Sequence, residues 1–296
     1  MSVPIKVVLL GSGSSYPSPN RYHPAIAVIY EGRSVLFDCG EAAQIRLQEA
    51  GVSPMKIDSI FITHLHGDHF FGLPGIIYSM ALQGREKPLT VYGPKGIKSL
   101  QALLDVGYHQ LTFPVEFREV GGGVLYEDMH WLVEAAEVEH GVPALAYCFR
   151  ERDKFRVLKS EIKGIKTGPW IKKILLGEKV KVNGKELGPE ILKKISGRKI
   201  VYSGDCRPSE SLVKLAEGAD LLIHESTYLH DAAEMAEDRS HSTSREAAEI
   251  AKRAGVKKLI LFHYSRRYRD TNEMVSEAKK IFKNTVAGKD LMEIRL

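Results

Sequence analysis

The chain has 296 residues, of which 44% are hydrophobic and 27% charged. This composition supports a sizeable core and a hydrated surface, and no apolar run approaches the roughly 20 residues that a membrane-spanning helix needs. Three cysteines without a CxxC pair disfavour a disulfide framework. We therefore expect a cytoplasmic α/β protein with no membrane partner, whose Cys39, Cys148 and Cys206 are small buried hydrophobes.

The net charge of +5 is unevenly distributed. From Arg150 to Ile200 there are sixteen basic and six acidic residues, a local charge of +10, whereas the rest of the chain carries 26 basic and 31 acidic residues, or −5. A concentrated basic segment is typical of a surface that binds a polyanion. The alternative is a solvated charged face with no partner. We call residues 150–199 the basic insert.

In the first half of the chain, short apolar runs are separated by turns rich in Gly and Pro. Residues 11–24 form a Gly/Pro-rich loop that is too long for a simple turn, so they are a candidate functional loop. The predicted strands here are 5–10, 25–30, 34–38 and 89–92, and the predicted helices are 41–50, 73–83 and 96–107.

The second half begins with strands, which flank the basic insert, and then alternates strands with helices. Ser242 or Thr243 is expected to begin the first of these helices. The predicted strands are 115–120, 130–138, 144–150, 201–204, 221–224 and 258–263, and the predicted helices are 242–254 and 271–282.

Residues 63–69 place four potential metal ligands directly after the buried apolar run 60–62. His64 and His66 are two residues apart, so at a strand end their side chains point the same way. The glycine that follows lets the backbone turn, so that Asp68 and His69 can face a second ion. Imidazole and carboxylate groups suit zinc. The alternative is a polar loop with incidental histidines.

Three further candidate ligands follow other predicted strands. His140 follows the strand ending near residue 138, Asp205 follows 201–204, and His263 ends 258–263. Strand ends converge on one edge in layered α/β folds. Taken singly, either histidine would more often be a core residue with satisfied hydrogen bonds than a ligand.

The H-x-H-x-D-H string of residues 64–69 resembles the signature of the metallo-β-lactamase superfamily. Together with residues 36–41 and 72–75, it is similar to the ribonuclease Z family, whose members process the 3′ end of tRNA. The resemblance extends over nearly the whole chain. It implies an α/β fold, a four-layer αββα sandwich, formed by a single domain of residues 1–296 with the basic insert as a flexible arm.

The resemblance also implies two Zn²⁺ ions per subunit, held by residues at strand ends. An imidazole at His66 favours zinc over iron, because di-iron relatives carry a carboxylate there. The first ion would be held by His64, His66, His140 and Asp205, and the second by Asp68, His69, Asp205 and His263. Asp68 would also take a proton from the attacking water.

Residues 222–227 and 241–243 resemble the family's His-Glu-Ala-Thr and His-Ser-Thr motifs, with Ser226 in place of Ala. A histidine held by a carboxylate can protonate a leaving 3′-oxyanion. We therefore pair His241 with Glu225 as catalytic residues. The alternative for Glu225 is a helix cap or a structural ion pair.

Substrate contacts are expected from two further stretches. Residues 263–268 resemble the family ending H-[FY]-S-x-R-Y, which places Ser265 and Arg267 near a phosphate. Residues 17–22 resemble the loop P-x-K-x-R-N that handles the tRNA 3′ end. Arg21 matches this loop, but Pro19 replaces the lysine and Tyr22 the asparagine.

The basic insert contains Gly168-Pro169, similar to a motif of the family's flexible arm, which grips the tRNA body. In that family one subunit's arm serves the other subunit's site, so we expect a homodimer. Trp170 could stack on RNA or pack inside the arm. The phosphate contacts would come from Lys163, Lys166, Lys172 and Lys173.

The expected function is that of a zinc endoribonuclease that removes the 3′ trailer from precursor tRNA and leaves a 3′-hydroxyl. One alternative is a small-molecule phosphodiesterase or arylsulfatase of the same fold, and another is a non-catalytic RNA-binding module. The basic insert argues for the first, since a small ester needs no distant grip. The full ligand set argues against a module without catalysis.

Overall fold

The computed structural model describes residues 3–16, 18, 21–106 and 110–296. Within these residues, two seven-stranded sheets pack face to face, and helices cover the outer face of each. The predicted αββα sandwich is thereby confirmed. In the described part of the chain, no helix is both long enough and apolar enough to cross a membrane.

The first sheet has the order β18-β1-β2-β3-β4-β5-β6, and β3 to β6 run parallel. Its strands are β1 (Lys6–Gly11), β2 (Ala25–Tyr30), β3 (Arg33–Phe37), β4 (Ile57–Phe61), β5 (Leu89–Gly93), β6 (Val115–Glu119) and β18 (Met292–Arg295).

The second sheet has the order β17-β16-β15-β14-β9-β8-β7, and β14 to β17 run parallel. Its strands are β7 (Gly123–Glu127), β8 (Trp131–Val138), β9 (Ala144–Glu151), β14 (Lys199–Tyr202), β15 (Leu221–Glu225), β16 (Leu259–Phe262) and β17 (Thr285–Ala287).

Side-chain alternation along the strands divides the core into layers. In β1, Val7 and Leu9 face the second sheet, whereas Val8 and Leu10 face the helices on the outer side. Successive side chains of a strand point to opposite faces, so one apolar run serves both layers.

The helices outside the basic insert are α1 (Ala43–Glu49), α2 (Gly67–Phe70), α3 (Leu73–Leu82), α4 (Ala102–Asp105), α6 (Glu210–Ala216), α7 (Ala233–Asp238), α8 (Ser244–Ala254) and α9 (Asn272–Lys279).

Helix α8 begins as its sequence predicts. The Thr243 side chain accepts a hydrogen bond from the backbone N–H of Glu246, and the Glu246 side chain accepts one from the backbone N–H of Thr243. This capping box satisfies donors that the first helical turn leaves free. Of the two predicted starting residues, Thr243 is the cap.

The helix predicted over 96–107 was wrong in length. Ile97–Gln101 forms a 3₁₀ segment that leads into the four-residue α4, and the predicted end at Gly107 lies outside the described residues. The strands β7, β17 and β18 were not predicted. Strand β18 pairs antiparallel with β1, which joins the two ends of the chain at one sheet.

The basic insert carries its own elements between β9 and β14. They are β10 (Lys154–Val157), α5 (Trp170–Leu175), β11 (Val180–Val182), β12 (Lys185–Leu187) and β13 (Leu192–Ile195). β10 pairs antiparallel with β13, so the segment leaves and returns side by side. A small apolar cluster centred on Ile162, Ile174 and Ile191 fills the insert. The half-buried Trp170 packs against this cluster, as the second of its two interpretations predicts.

Candidate active site

The candidate residues lie where strands of both sheets end. The loop with His64 and His66 follows β4, and Asp68 and His69 lie in the single turn of α2. In the second sheet, β8, β14 and β16 run in the same direction, so their carboxyl ends share one edge. His140, Asp205 and His263 follow these three strands in turn. The two edges meet, and all seven predicted metal ligands lie there together.

Asp205 lies at the centre of this cluster. Its Oδ2 is 3.2 Å from His263 Nε2, 3.4 Å from His69 Nε2, and 3.8 Å from both His64 Nε2 and His140 Nε2. Such a carboxylate can reach two ions at once, which is the bridging position that the resemblance implies.

The other ligands divide into two groups around it. In one group, His66 Nδ1 is 2.9 Å from His64 Nε2 and 3.2 Å from His140 Nε2. In the other, Asp68 Oδ2 is 3.5 Å from His69 Nε2 and 3.6 Å from His263 Nε2. The ligand atoms within each group lie within 4.8 Å of one another. With Asp205 between them, these groups correspond to the two ligand sets that the resemblance implies.

The donor atoms fit a pair of cations. His69 Nε2, His263 Nε2 and Asp205 Oδ1 are buried and have no hydrogen-bond partner among the described residues. A buried polar atom without a partner is costly, and a metal ion would satisfy all three. Burial opposes ionisation of Asp68, but nearby His69 and His263 outweigh it and lower the pKa of Asp68 to about 2.

Further polar groups orient the imidazoles from behind. Because carboxylate and carbonyl oxygens only accept, His69 Nδ1–H donates to Asp38 Oδ2 at 2.7 Å and His140 Nδ1–H donates to the Ser240 carbonyl oxygen at 2.7 Å. Thr63 Oγ1 and the Tyr202 hydroxyl also donate to Asp38 Oδ2, at 2.9 and 2.8 Å. This leaves Nε2 of each ring directed at the centre, and in the neutral form of such a ring Nε2 is the nitrogen free to bind a metal ion.

Sequence reasoning did not assign Asp38 a role. The residue directly follows β3 and is fully buried, and its φ of 55° lies in the left-handed region. Its place at the end of a strand parallel to β4 is the signal that could have identified it. The same region of φ recurs at His263, with a φ of 58°. Non-glycine residues adopt it at a cost of order 1–3 kcal/mol, and such strain is concentrated at functional sites.

His241 and Glu225 are brought together as predicted. His241 Nδ1–H donates to Glu225 Oε1 at 2.8 Å, and the fully buried Glu225 also accepts hydrogen bonds from the backbone N–H groups of Cys206 and Thr227. Burial lowers the pKa of His241, but the Glu225 carboxylate outweighs it and raises the pKa to about 9. The imidazole is therefore protonated near neutral pH and can donate a proton.

A cavity of about 420 Å³ adjoins His241 and His263. Ser265 and Arg267 line it, as the predicted phosphate contacts should. Arg21 does not. Its guanidinium donates to the carbonyl oxygens of Tyr268 at 2.8 Å and Arg269 at 3.1 Å. Pro19, which departs from the family pattern, lies outside the described residues. Pro17 and Asn20 of the same loop also lie outside them.

The four lysines predicted to contact phosphates are exposed. They lie on the basic insert, which contains none of the candidate metal ligands. None of them has a carboxylate within 4.0 Å among the residues that the structure describes, although the insert contains six acidic residues. They are Lys163, Lys166, Lys172 and Lys173.

The chain is similar to several known proteins. A family model described as "Anti-Pycsar protein Apyc1" matches residues 5–116, and one described as "Beta-lactamase superfamily domain" matches residues 182–264. The structure of the short form of human tRNase Z aligns with a TM-score of 0.73 at 28% identity, over 98% of each chain. That of YhfI from Bacillus subtilis, a metallo-β-lactamase fold protein, aligns with a TM-score of 0.73 at 20% identity over the full length of both chains.

The sequence relatives are nearer. Ribonuclease Z of Methanothermobacter thermautotrophicus is 45% identical over 297 residues, which cover 99% of this chain and 97% of the relative. Ribonuclease Z of Bacillus licheniformis is 45% identical over 301 residues, or 98% of each. With this identity over nearly its whole length, and with the candidate ligands gathered where the two sheets meet, the chain belongs to the ribonuclease Z family of the metallo-β-lactamase superfamily.

Proposed function

We propose that this protein is a zinc-dependent endoribonuclease that removes the 3′ trailer from precursor tRNA and leaves a 3′-hydroxyl on the tRNA. The observation that carries the proposal is the pair formed by the half-buried His241 and the fully buried Glu225 beside the ligand cluster. Hydrolysis of a phosphodiester with a poor leaving group needs both a cationic centre for the phosphate and an acid for the departing oxygen. A family of tRNA 3′-processing enzymes at 45% identity supplies the substrate class.

Two zinc ions per subunit are the cofactor that these residues suit. His64, His66, His140 and Asp205 would hold one ion, and Asp68, His69, His263 and Asp205 the other. When bound, the ions supply electrophilic stabilisation of the phosphate and raise the acidity of water. Carboxylate and imidazole groups such as these are donor types that zinc prefers.

Three residues of the chain take part in the proposed proton transfers. The Asp68 carboxylate is ionised and buried, so it can accept a proton from the attacking water. His241 donates a proton to the 3′-oxygen of the tRNA as the phosphodiester bond breaks. Glu225 holds the His241 ring by its Nδ1–H and leaves Nε2 directed to the substrate side.

The basic insert is proposed as an arm that grips the tRNA body. Its net charge of +10 and its four exposed lysines suit phosphate contacts, which read shape and charge rather than sequence. In the proposed homodimer, one subunit's arm serves the other subunit's site. The proposed location is the cytoplasm, where buried, unpaired cysteines such as Cys206 remain reduced.

The test uses the zinc-loaded protein and a precursor tRNA labelled at each end. The expected products are a tRNA with a 3′-hydroxyl, detected by periodate oxidation, and a trailer with a 5′-phosphate. An activated aryl phosphodiester is assayed in parallel. Hydrolysis of the aryl ester without any cleavage of precursor tRNA would overturn the proposal and favour the small-molecule alternative.

A further inference from the structure

Three arginines line the cavity beside His241, whereas the sequence predicted only one of them as a phosphate contact. They are Arg239, Arg266 and Arg267, of which Arg267 was predicted. Among the described residues, none of the three has a carboxylate within 4.0 Å, whereas neighbouring Arg207 pairs with Glu246 at 2.8 Å. Three guanidinium groups without ion-pair partners around one cavity favour an anionic ligand.

The same cavity has an aromatic wall. The Tyr16 side chain is 60% exposed, and the Arg266 guanidinium lies over its ring, 4.0 Å from the centroid. On the other side, the Arg267 guanidinium lies 5.3 Å from the centroid of the Tyr228 ring. Planar guanidinium and aromatic groups are the surfaces on which unpaired RNA bases stack.

Hydrogen bonds join the backbone segments next to this wall. The loop before Tyr16 is joined to the loop of Arg266 where Tyr264 donates its backbone N–H to the Ser12 carbonyl oxygen at 3.1 Å. The Asp290 carboxylate accepts hydrogen bonds from the Ser12 backbone N–H and hydroxyl at 2.8 and 2.7 Å. A preformed site spends less binding free energy on ordering its loops.

We propose that this cavity binds the last nucleotide of the tRNA, the one that carries the displaced 3′-oxygen. Its base stacks on the Tyr16–Arg266 pair, and Arg239 contacts its phosphate. The assignment to this nucleotide rests on the proposed function, because His241 lines the same cavity and protonates that oxygen. At about 420 Å³ the cavity lies within the usual range for small-ligand sites.

The test measures binding, with metal removed by chelation so that no RNA is cleaved. Three precursor RNAs are compared: one intact, one abasic at the last tRNA nucleotide and one abasic at the first trailer nucleotide. Tyr16→Ala is expected to weaken binding of the intact RNA about tenfold, since each stacked base contributes strongly. It should have no effect on RNA that is abasic at the last tRNA nucleotide. Tyr16→Phe keeps the ring and should bind like the wild type.

Charge is tested with matched arginine variants. Arg239→Ala and Arg266→Ala are expected to weaken binding, whereas Arg269→Ala, an exposed arginine of the same loop that does not line the cavity, should not. The proposal is overturned if Tyr16→Ala weakens all three RNAs equally, or if its effect disappears only with the abasic trailer nucleotide. Cleavage of precursor tRNA by the wild type, measured separately, tests the proposed function itself.

Discussion

Arg21 and Tyr268, 247 positions apart in the sequence, are joined by a 2.8 Å hydrogen bond from the Arg21 guanidinium to the Tyr268 carbonyl oxygen. The same guanidinium reaches the Arg269 carbonyl oxygen and lies 5.2 Å from the centroid of the Tyr264 ring. Sequence comparison indicated Arg21 as a substrate contact, but its donors bind the backbone of the loop that carries Ser265 and Arg267. We propose that Arg21 is a positioning residue for this loop.

Arg21→Ala is therefore expected to lower the melting temperature by a few degrees, because two backbone carbonyls lose their donors. The KM for precursor tRNA should rise while its dependence on salt keeps the wild-type slope. A direct phosphate contact would instead reduce the slope by about one unit. Kinetics over a range of KCl concentrations decide between the two roles.

Asp38→Asn is expected to weaken zinc binding by about 10- to 100-fold, the usual effect of losing a carboxylate behind a ligating histidine. Asn keeps the shape of the side chain but not the charge that fixes His69 Nδ1–H. Competition with a chromophoric chelator measures this affinity. Asp231→Ala, an exposed carboxylate on the surface, serves as the control, and wild-type affinity in Asp38→Asn would contradict the assignment.

Asp68→Ala is expected to abolish hydrolysis while precursor tRNA binding persists, because the proposed arm contacts lie elsewhere. The variant loses both a ligand of the second ion and the proposed acceptor of the water proton. Single-turnover cleavage and an electrophoretic mobility shift measure the two properties. Turnover near the wild-type rate would refute the role of Asp68.

His241→Ala is expected to lower turnover of precursor tRNA by about 10²- to 10⁴-fold, the range that general acids contribute. Hydrolysis of an ester with a phenolate leaving group should fall far less, because a good leaving group needs little protonation. His130→Ala, a histidine paired with Glu31 at the surface, is the matched control. Equal losses on both substrates would mean that His241 orients the phosphate or supports the fold.

Replacing residues 155–194 by an Asn-Gly turn should raise the KM for precursor tRNA steeply and leave hydrolysis of a small phosphodiester nearly unchanged. Lys154 and Ile195 are paired across β10 and β13, so a two-residue turn can join the flanking strands. Binding energy gained far from the reacting phosphate benefits only substrates long enough to reach it.

The salt dependence of binding provides a second measurement on that variant. If the insert contacts phosphates, its removal should flatten the fall in tRNA affinity with salt. The small ester is the control that the metal site survives. An unchanged KM and an unchanged salt slope would mean that the insert is a solvated charged face.

Much of the fold could be predicted because its signals are local. The strand–turn alternation gives the runs around β1 to β4, and Thr243 with Glu246 marks the start of α8. Densely spaced His and Asp residues indicate candidate ligands at 64–69, and strand ends indicate His140, Asp205 and His263, which the structure brings together. In each case a few consecutive residues contain the physical cause of the structure.

The missed features depend on contacts between distant segments. Strand β18 exists because Met292 pairs with Leu9, and nothing within the last residues indicates that partner. Asp38 becomes important only because the ends of β3 and β4 place its carboxylate behind His69. Arg21 matched a family motif, but its three-dimensional neighbours determine what its donors bind.

The pairing of β10 with β13 makes the exit and the return of the basic insert adjacent. A buried carboxylate, Glu151, anchors this junction through Lys154 at 2.8 Å and Arg198 at 2.7 Å. Lengthening, shortening or exchanging the segment beyond it is therefore expected to leave the distance between β9 and β14 unchanged. The reach of the proposed arm can therefore change without altering the ligand cluster, because the two lie in separable parts of the chain.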